Sequence, residues 1–362
     1  MSRKFPRPIK RIVIKIGSSV IATYQMKPRT AHLRSLVEQV CLVQKKGIEV
    51  VIVSSGAIVF GMGELNQKKR PLDLASLQTL AAVGQIVLMD RYHAFFKRNQ
   101  VNCAQILLTW DDFNDRGRYN NARNTFKVML KRGIVPIVNE NDTISTDEIK
   151  FGDNDKLSSL VACLIEADLL LILSDVEGFY DCKDGGKKVF EEIREITGDI
   201  ESAALGTTKK HISKGGMSAK LEAIKMATRS KIPCVIAKGE MENVLLRVLG
   251  GDRIGTFFVE KEGKSLAKKH WISFSAKPKG VLVVDDGAKA ALLKGGRSLL
   301  LPGIVSWEGY FNAGDVVVVH DQNGDEIARG VMNYSTADLN QIEEKRGKHE
   351  VIDCDDLVLC QR

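Results

Sequence analysis

Along residues 1–240, short runs of apolar and β-branched residues alternate with longer stretches in which apolar positions recur at helical spacing. The runs RIVIKI (11–16), EVVIVS (49–54), CAQILLT (103–109), IVPIVN (134–139), ADLLLILS (167–174) and IPCVIAK (232–238) each predict a strand. The stretches between them predict helices over 30–47, 73–98, 118–132, 154–166 and 217–230. Within 73–98, Leu74, Leu77, Leu80, Ala81 and Val87 share one side and predict a core-facing stripe. Strands that are apolar throughout, rather than alternating, are buried on both faces, and interleaved helices supply the cover. The pattern therefore predicts an α/β fold with a mainly parallel central sheet between helical layers.

The punctuation changes after residue 260. GVLVVDDGA (280–288), SLLLPGIVSW (298–307), DVVVVHD (315–321) and EIARGVMNY (326–334) read as short strands separated by Gly, Asp and Asn turns. They predict a second, small, mostly β domain over 277–362. A catalytic-sized domain spans 8–260, and the charged stretch around EKEGKSLAKKH (260–270) marks a linker, 261–276.

Composition narrows the class. With 362 residues, 44% hydrophobic and 27% charged, the chain has enough material for two cores. No apolar run approaches the ~20 residues of a membrane span, and the basic start MSRKFPRPIKR leads into a strand rather than a signal-peptide apolar stretch. The seven cysteines form no CxxC pair and no zinc spacing, which predicts free thiols and a cytoplasmic location. The net charge of +8 is unevenly spread: residues 1–276 hold 43 Lys and Arg against 31 Asp and Glu, a net +12. Residues 277–362 hold 10 against 14, a net −4. A basic first domain suits anionic small molecules or nucleic acid, whereas the acidic tail does not favour a phosphate backbone.

Chemistry is sought beyond the carboxyl ends of the strands, where open parallel sheets bind ligands. Gly17-Ser18-Ser19 follows the first strand and Ser54-Ser55-Gly56 the second, both small turns entering helices. Such turns either cap the helix or offer free N–H groups to an anion. Lys15 lies inside an apolar strand two residues before the first turn. It either snorkels to the surface or stabilises charge on a transferring phosphoryl group. SKGGMSAK (213–220) repeats the theme, with a glycine pair, a helix start and Lys220 one turn in. Neither a P-loop nor a dinucleotide fingerprint occurs, so any phosphate site is of another design. Two polar clusters remain: NENDT (139–143) and FGDND (151–155), where Asp153, Asn154 and Asp155 stand in a row. ILSDVEGFYD (172–181) ends a strand in Ser174-Asp175, which alone reads as a strand cap.

KIGSS, VSSGAI, AAVGQ, NENDT, FGDND, LSDVEGFYD and GGMSAK, taken in this order, resemble the amino acid kinase family, and most closely its bacterial branch that phosphorylates glutamate. The tail resembles the PUA module. The resemblance implies a three-layer sandwich (the amino acid kinase fold) followed by a PUA barrel. It implies ATP-dependent phosphorylation of the γ-carboxylate of L-glutamate, with Mg²⁺ held mainly by ATP rather than by a protein metal site. The product would be L-glutamyl 5-phosphate, the first intermediate of proline biosynthesis, with proline as feedback inhibitor. By the same resemblance, Lys15, Lys220 and Asp155 are catalytic, with Asp155 orienting the two lysines. Lys15, Gly17, Ser174, Asp175, Lys214, Gly215, Gly216, Met217, Ser218, Ala219 and Lys220 hold ATP. Ser55, Asp142 and Asn154 hold glutamate; Asp153 is assigned only to the substrate loop or its lid. A homotetramer is implied, and RNA binding by the tail is not expected from its charge. Lys214 departs from the family pattern, which has Ser or Thr there. The competing acceptor is N-acetylglutamate, against which Asp142 argues, because acetylation removes the ammonium an aspartate would pair with.

Overall fold

A computed structural model describes residues 2–23, 27–145, 154–181, 188–205, 216–261, 278–343 and 349–360. The chain forms two compact units, Met1–Trp110 with Asn120–Gly263, and Lys264–Arg362 with the short segment Asp111–Tyr119.

In the first unit the apolar runs become β1 (Arg11–Ile16), β2 (Glu49–Ser54), β3 (Cys103–Leu108), β4 (Val135–Glu140) and β5 (Leu169–Ser174), as their patterns predict to within two residues. Two-residue strands β6 (Tyr180–Asp181), β7 (Lys188–Val189) and β8 (Glu192–Ile193) follow, then β9 (Cys234–Lys238) and β10 (Thr256–Phe258). Eight of these make one sheet in the order β3-β4-β2-β1-β5-β9-β10-β8. All its pairs are parallel except β9–β10. Strands β4 and β5 are buried along their whole length, as both-faces-covered strands must be, while the edge strand β3 is half exposed.

The helices up to residue 249 are α1 (Ser18–Ile21), α2 (Thr30–Lys45), α3 (Ala57–Glu64), α4 (Leu74–Arg98), α5 (Trp110–Asn114), α6 (Arg116–Lys131), α7 (Asn154–Leu164), α8 (Gly198–Leu205), α9 (Met217–Arg229) and α10 (Val244–Leu249), of which most of α5 and the start of α6 fall in the segment Asp111–Tyr119 that belongs to the second unit. Among the described residues, none is long and apolar enough to cross a membrane. Ile12, Ile14 and Ile16 of β1 pack with Leu33, Leu36 and Val40 of α2, Tyr92 and Phe96 of α4, and Val244 and Val248 of α10. Because side chains alternate along a strand, Lys15 faces the other layer, formed by α7 and α9. These two helices are tied together where Ser159 Oγ donates to Ala223 O at 2.7 Å.

Two glycines set how α3 meets α4. A Cβ on Gly61 would lie 1.9 Å from the Leu80 carbonyl oxygen, and one on Gly84 would lie 1.8 Å from that of Ala57. The helices touch backbone to backbone, which any side chain would forbid. Asp73 caps α4, its Oδ1 accepting from Ser76 N at 2.8 Å.

The second unit has a five-stranded sheet, β13-β11-β14-β15-β17, and a two-stranded one, β12-β16. These are β11 (Gly280–Val284), β12 (Leu299–Leu300), β13 (Ile304–Gly309), β14 (Val316–His320), β15 (Glu326–Val331), β16 (Glu350–Ile352) and β17 (Leu357–Leu359). The expected strand 280–288 stops at 284. Asp285 Oδ1 accepts from Ala288 N at 2.7 Å and starts helix α11 (Asp286–Leu293), so DDGA is a helix cap rather than a turn. SLLLPGIVSW is likewise broken by a 3₁₀ turn at Leu301–Gly303, and α12 (Thr336–Glu343) was not expected. Phe311 is buried in the core, with Trp307 and Tyr334 packed against it, whereas Tyr310 is exposed. The expected linker, 261–276, lies outside the described residues but for Lys261, whose N–H donates to Thr228 O at 3.0 Å.

Candidate functional site

The carboxyl ends of β1, β2, β4 and β5 lie at one edge of the sheet because these strands run parallel, with Ile16 level with both Ser54 and Leu173. At that edge the chain turns into α1, α3 and, after further residues, α7. Asp155, in the first turn of α7, is fully buried. Its Oδ1 is 2.5 Å from Lys15 Nζ and its Oδ2 is 2.9 Å from Lys220 Nζ in the first turn of α9. Both lysines are buried. Removing ions from water costs several kcal/mol each, so such a cluster persists only with close pairing. The three formal charges sum to +1, which suits an anion.

Gly17 keeps space beside this cluster. Its N–H donates to Leu173 O at 3.2 Å, and a Cβ there would lie 3.3 Å from that oxygen and 3.7 Å from Lys15 Nζ. Gly216 precedes α9 in extended conformation, and Met217, Ser218 and Ala219 form the helix's first turn, half-buried. Helix N-termini of this kind present free N–H groups to phosphate. Ser174 is buried, its hydroxyl donating to Asp175 Oδ1 at 3.0 Å and its carbonyl accepting from Gly239 N at 2.8 Å; Asp175 is exposed. Lys214, Gly215 and Asp153 lie outside the described residues.

A second set of groups adjoins the first through Asn154, the residue before Asp155. Asn154 Nδ2 donates to Ser54 O at 2.8 Å and to Asn139 Oδ1 at 2.7 Å. Asn139, in NENDT at the end of β4, donates in turn to Gln85 Oε1 of α4 at 2.8 Å. Ser54 Oγ bonds Tyr92 OH at 2.9 Å; Tyr92 is wholly buried, which pushes its phenol well up. Ser55 is half-buried, its N–H donating to Ile16 O at 3.0 Å, and Gly56 follows with φ +105°, the left-handed conformation that starts α3. Asp142 is half-buried, and burial pushes its carboxyl up to about 6, opposed by the nearby Arg70 guanidinium. Burial and Asp142 act on Arg70 in the opposite senses: burial lowers its pKa and the carboxylate raises it.

Lys15, Asp155 and Lys220 are thus brought together as expected, and Asn154 stands next to them. Sequence reasoning passed over Asn139 and Gln85, although both sit in motifs it had singled out, and Arg70 and Tyr92, which carried no signal. Among the described residues the one group of ligand-type side chains close enough to hold a metal is Asp353, Cys354 and Asp355, in the second unit.

Residues 10–238 match the model of the amino acid kinase family, and residues 280–352 match that of the PUA domain. A glutamate 5-kinase of Caldanaerobacter subterraneus is 43% identical over 97% of this chain and 98% of its own length. One from Dictyoglomus turgidum is 43% identical over 98% of both, and one from Marinomonas is 41% identical over 97% of both. A UMP kinase structure from Bacillus anthracis aligns with 72% of this chain and all of its own, at 15% identity and a TM-score of 0.47.

Proposed function

The chain belongs to the amino acid kinase family, among its glutamate 5-kinases, and from that premise we propose that it transfers the γ-phosphoryl group of ATP to the γ-carboxylate of L-glutamate. The observation that supports the chemistry is the buried Lys15–Asp155–Lys220 cluster at the end of the central strand.

A glutamate side chain is already ionised at neutral pH, so the nucleophile needs no general base. One γ-carboxylate oxygen forms a bond to the γ-phosphorus while the bond to the β-phosphate oxygen breaks, giving L-glutamyl 5-phosphate and ADP. In such transfers the protein's work is positioning and neutralising charge on the phosphoryl oxygens. Lys15 and Lys220 carry the charge, and Asp155 holds the two ammoniums apart and aimed. Both Asp155 oxygens are taken by lysines, so this carboxylate suits orienting cations better than ligating metal. A magnesium ion would come in on the nucleotide's own phosphate oxygens and supply further neutralisation. Gly17, Ser174, Asp175 and the 214–220 segment are assigned to the nucleotide.

On the acceptor side, Asp142 takes the α-ammonium, and Asn154 and Ser55 complete the grip. Proline shares the α-amino and carboxylate groups such a site must recognise, which makes it the inhibitor to test. The product places the enzyme at the first step of proline biosynthesis. The free cysteines fit a cytoplasmic setting, and a homo-oligomer is the assembly assigned.

The test offers L-glutamate, N-acetyl-L-glutamate, L-aspartate and UMP separately with ATP and Mg²⁺, follows ADP release, and traps acyl phosphate as hydroxamate. Hydroxamate from L-glutamate alone is the expected result. Turnover of another acceptor, or of none, overturns the assignment.

A further inference from the structure

AAVGQ, residues 81–85, has no part in the chemistry above, yet two of its residues have definite jobs. Gly84 lets α4 lie directly on α3. Gln85 ends a directional chain of side-chain amides that begins at a backbone carbonyl.

Ser54 O can only accept, so Asn154 must turn its NH₂ group toward it. The second N–H of that group goes to Asn139, which must therefore present its oxygen. That leaves Asn139 with its NH₂ group facing α4, where it meets Gln85 Oε1. Were Gln85 turned around, two NH₂ groups would face each other at hydrogen-bond distance, and were it absent, a buried Asn139 donor would lack its partner. Leaving a buried donor unpaired is costly, so without Gln85 the Asn139 amide turns over and Asn154 is left held by Ser54 O alone. In the observed arrangement Asn154 Oδ1 makes no hydrogen bond among the described residues. Tyr92 lies seven residues beyond Gln85 on the same face of α4 and fastens Ser54, the anchor of the chain. One helix thus supports both ends.

We propose that Gln85 is a positioning residue of the acceptor site: by accepting from Asn139 it keeps the Asn139 oxygen on the second N–H of Asn154, so that the Asn154 amide, turned by Ser54 O, is held through both N–H groups with its carbonyl oxygen offered to substrate. A carbonyl oxygen pairs with an ammonium and not with a carboxylate. Gln85 is therefore a determinant of selectivity for acceptors that carry an α-ammonium. This inference rests on the amino-acid acceptor assigned above.

The experiment compares L-glutamate with glutarate, the same dicarboxylate without the ammonium, using full-length parent, Gln85→Leu and Gln85→Glu. Gln85→Leu is expected to raise the glutamate KM about tenfold, leave the ATP KM unchanged and leave glutarate kcat/KM within about twofold. The preference for the amino acid collapses accordingly. Gln85→Glu keeps an acceptor at the same reach and is expected to restore most of it. Should Gln85→Leu fail to fold, Gln85→Met keeps the length without the acceptor and carries the same expectations. An active parent whose Leu or Met variant retains its preference overturns the inference alone. So does a Glu variant as poor as the Leu variant, because the buried Gln85 Nε2 would then be the atom that matters. A parent inactive on glutamate overturns the acceptor assignment and this inference with it.

Discussion

Asn154 and Asp155 are neighbours at the start of one helix, yet they serve regions built on different physics. Asp155 sits between two ammoniums, at 2.5 and 2.9 Å. Asn154 sits in a chain of neutral amides at 2.7 to 2.8 Å. Charge attraction is strong and nearly indifferent to rotation, so an ammonium can swing toward a moving phosphoryl group and stay paired. Amides are weaker but directional: each must show an oxygen to the next one's nitrogen. In the roles proposed above, the charged cluster suits charge that shifts during a reaction, and the amide chain suits a ligand whose orientation must not shift.

The sharpest way to break that contrast is Asp155→Asn. It leaves two buried ammoniums without their shared anion, and breaking a buried pair this way costs about 3–5 kcal/mol of stability. A fall in kcat of about 10³-fold should accompany it, on the scale of losing an electrostatic stabiliser. Denaturant midpoints and saturating-ATP turnover check both. A stable, active variant would mean that the lysines orient themselves. Next in size, Asp142→Asn should raise the glutamate KM by about 10- to 100-fold with kcat little changed, since it removes a ground-state contact.

A pH series sharpens the same point. Asp142 pairs with an ammonium only when ionised, and burial holds its carboxyl at about 6. The glutamate KM of the parent should therefore be flat above that pH and rise as pH falls through it, a rise absent in Asp142→Asn. Because Arg70 pulls this pKa down, Arg70→Met should move the onset to higher pH; an unmoved onset would remove Arg70 from the site. The smallest effect is expected from Lys214→Thr, which should alter the apparent ATP affinity a few-fold at constant kcat at saturating ATP.

How much of this could be read in advance follows the same division. Lys15 was visible because a lysine interrupts an apolar run, and Asp155 because three polar residues in a row exceed what a turn requires. The amide chain was not visible. Gln85 and Asn139 are 54 residues apart and meet only once α4 is packed under β4. Arg70 belongs to QKKR, which reads as an ordinary solvated basic run. Short elements failed for another reason: α3 and α10 span too few turns for a periodicity to emerge, and β10 is three residues long. In the second unit, Asp285-Asp286-Gly287 satisfies turn chemistry and helix capping equally well, and only the bond from Ala288 N decides between them.

Lys15 reaches Asp155 because it points away from the layer that receives Ile14 and Ile16. Its usefulness therefore depends on arithmetic as well as chemistry. One residue inserted or deleted between Arg11 and Lys15, with the rest of the strand held in register, would drive the ammonium into hydrocarbon and turn an isoleucine toward Asp155. The spacing of this stretch is then as strictly determined as the identity of its lysine. Substitutions at Ile12 or Val13 that respect volume should be tolerated where the smallest change in length is not.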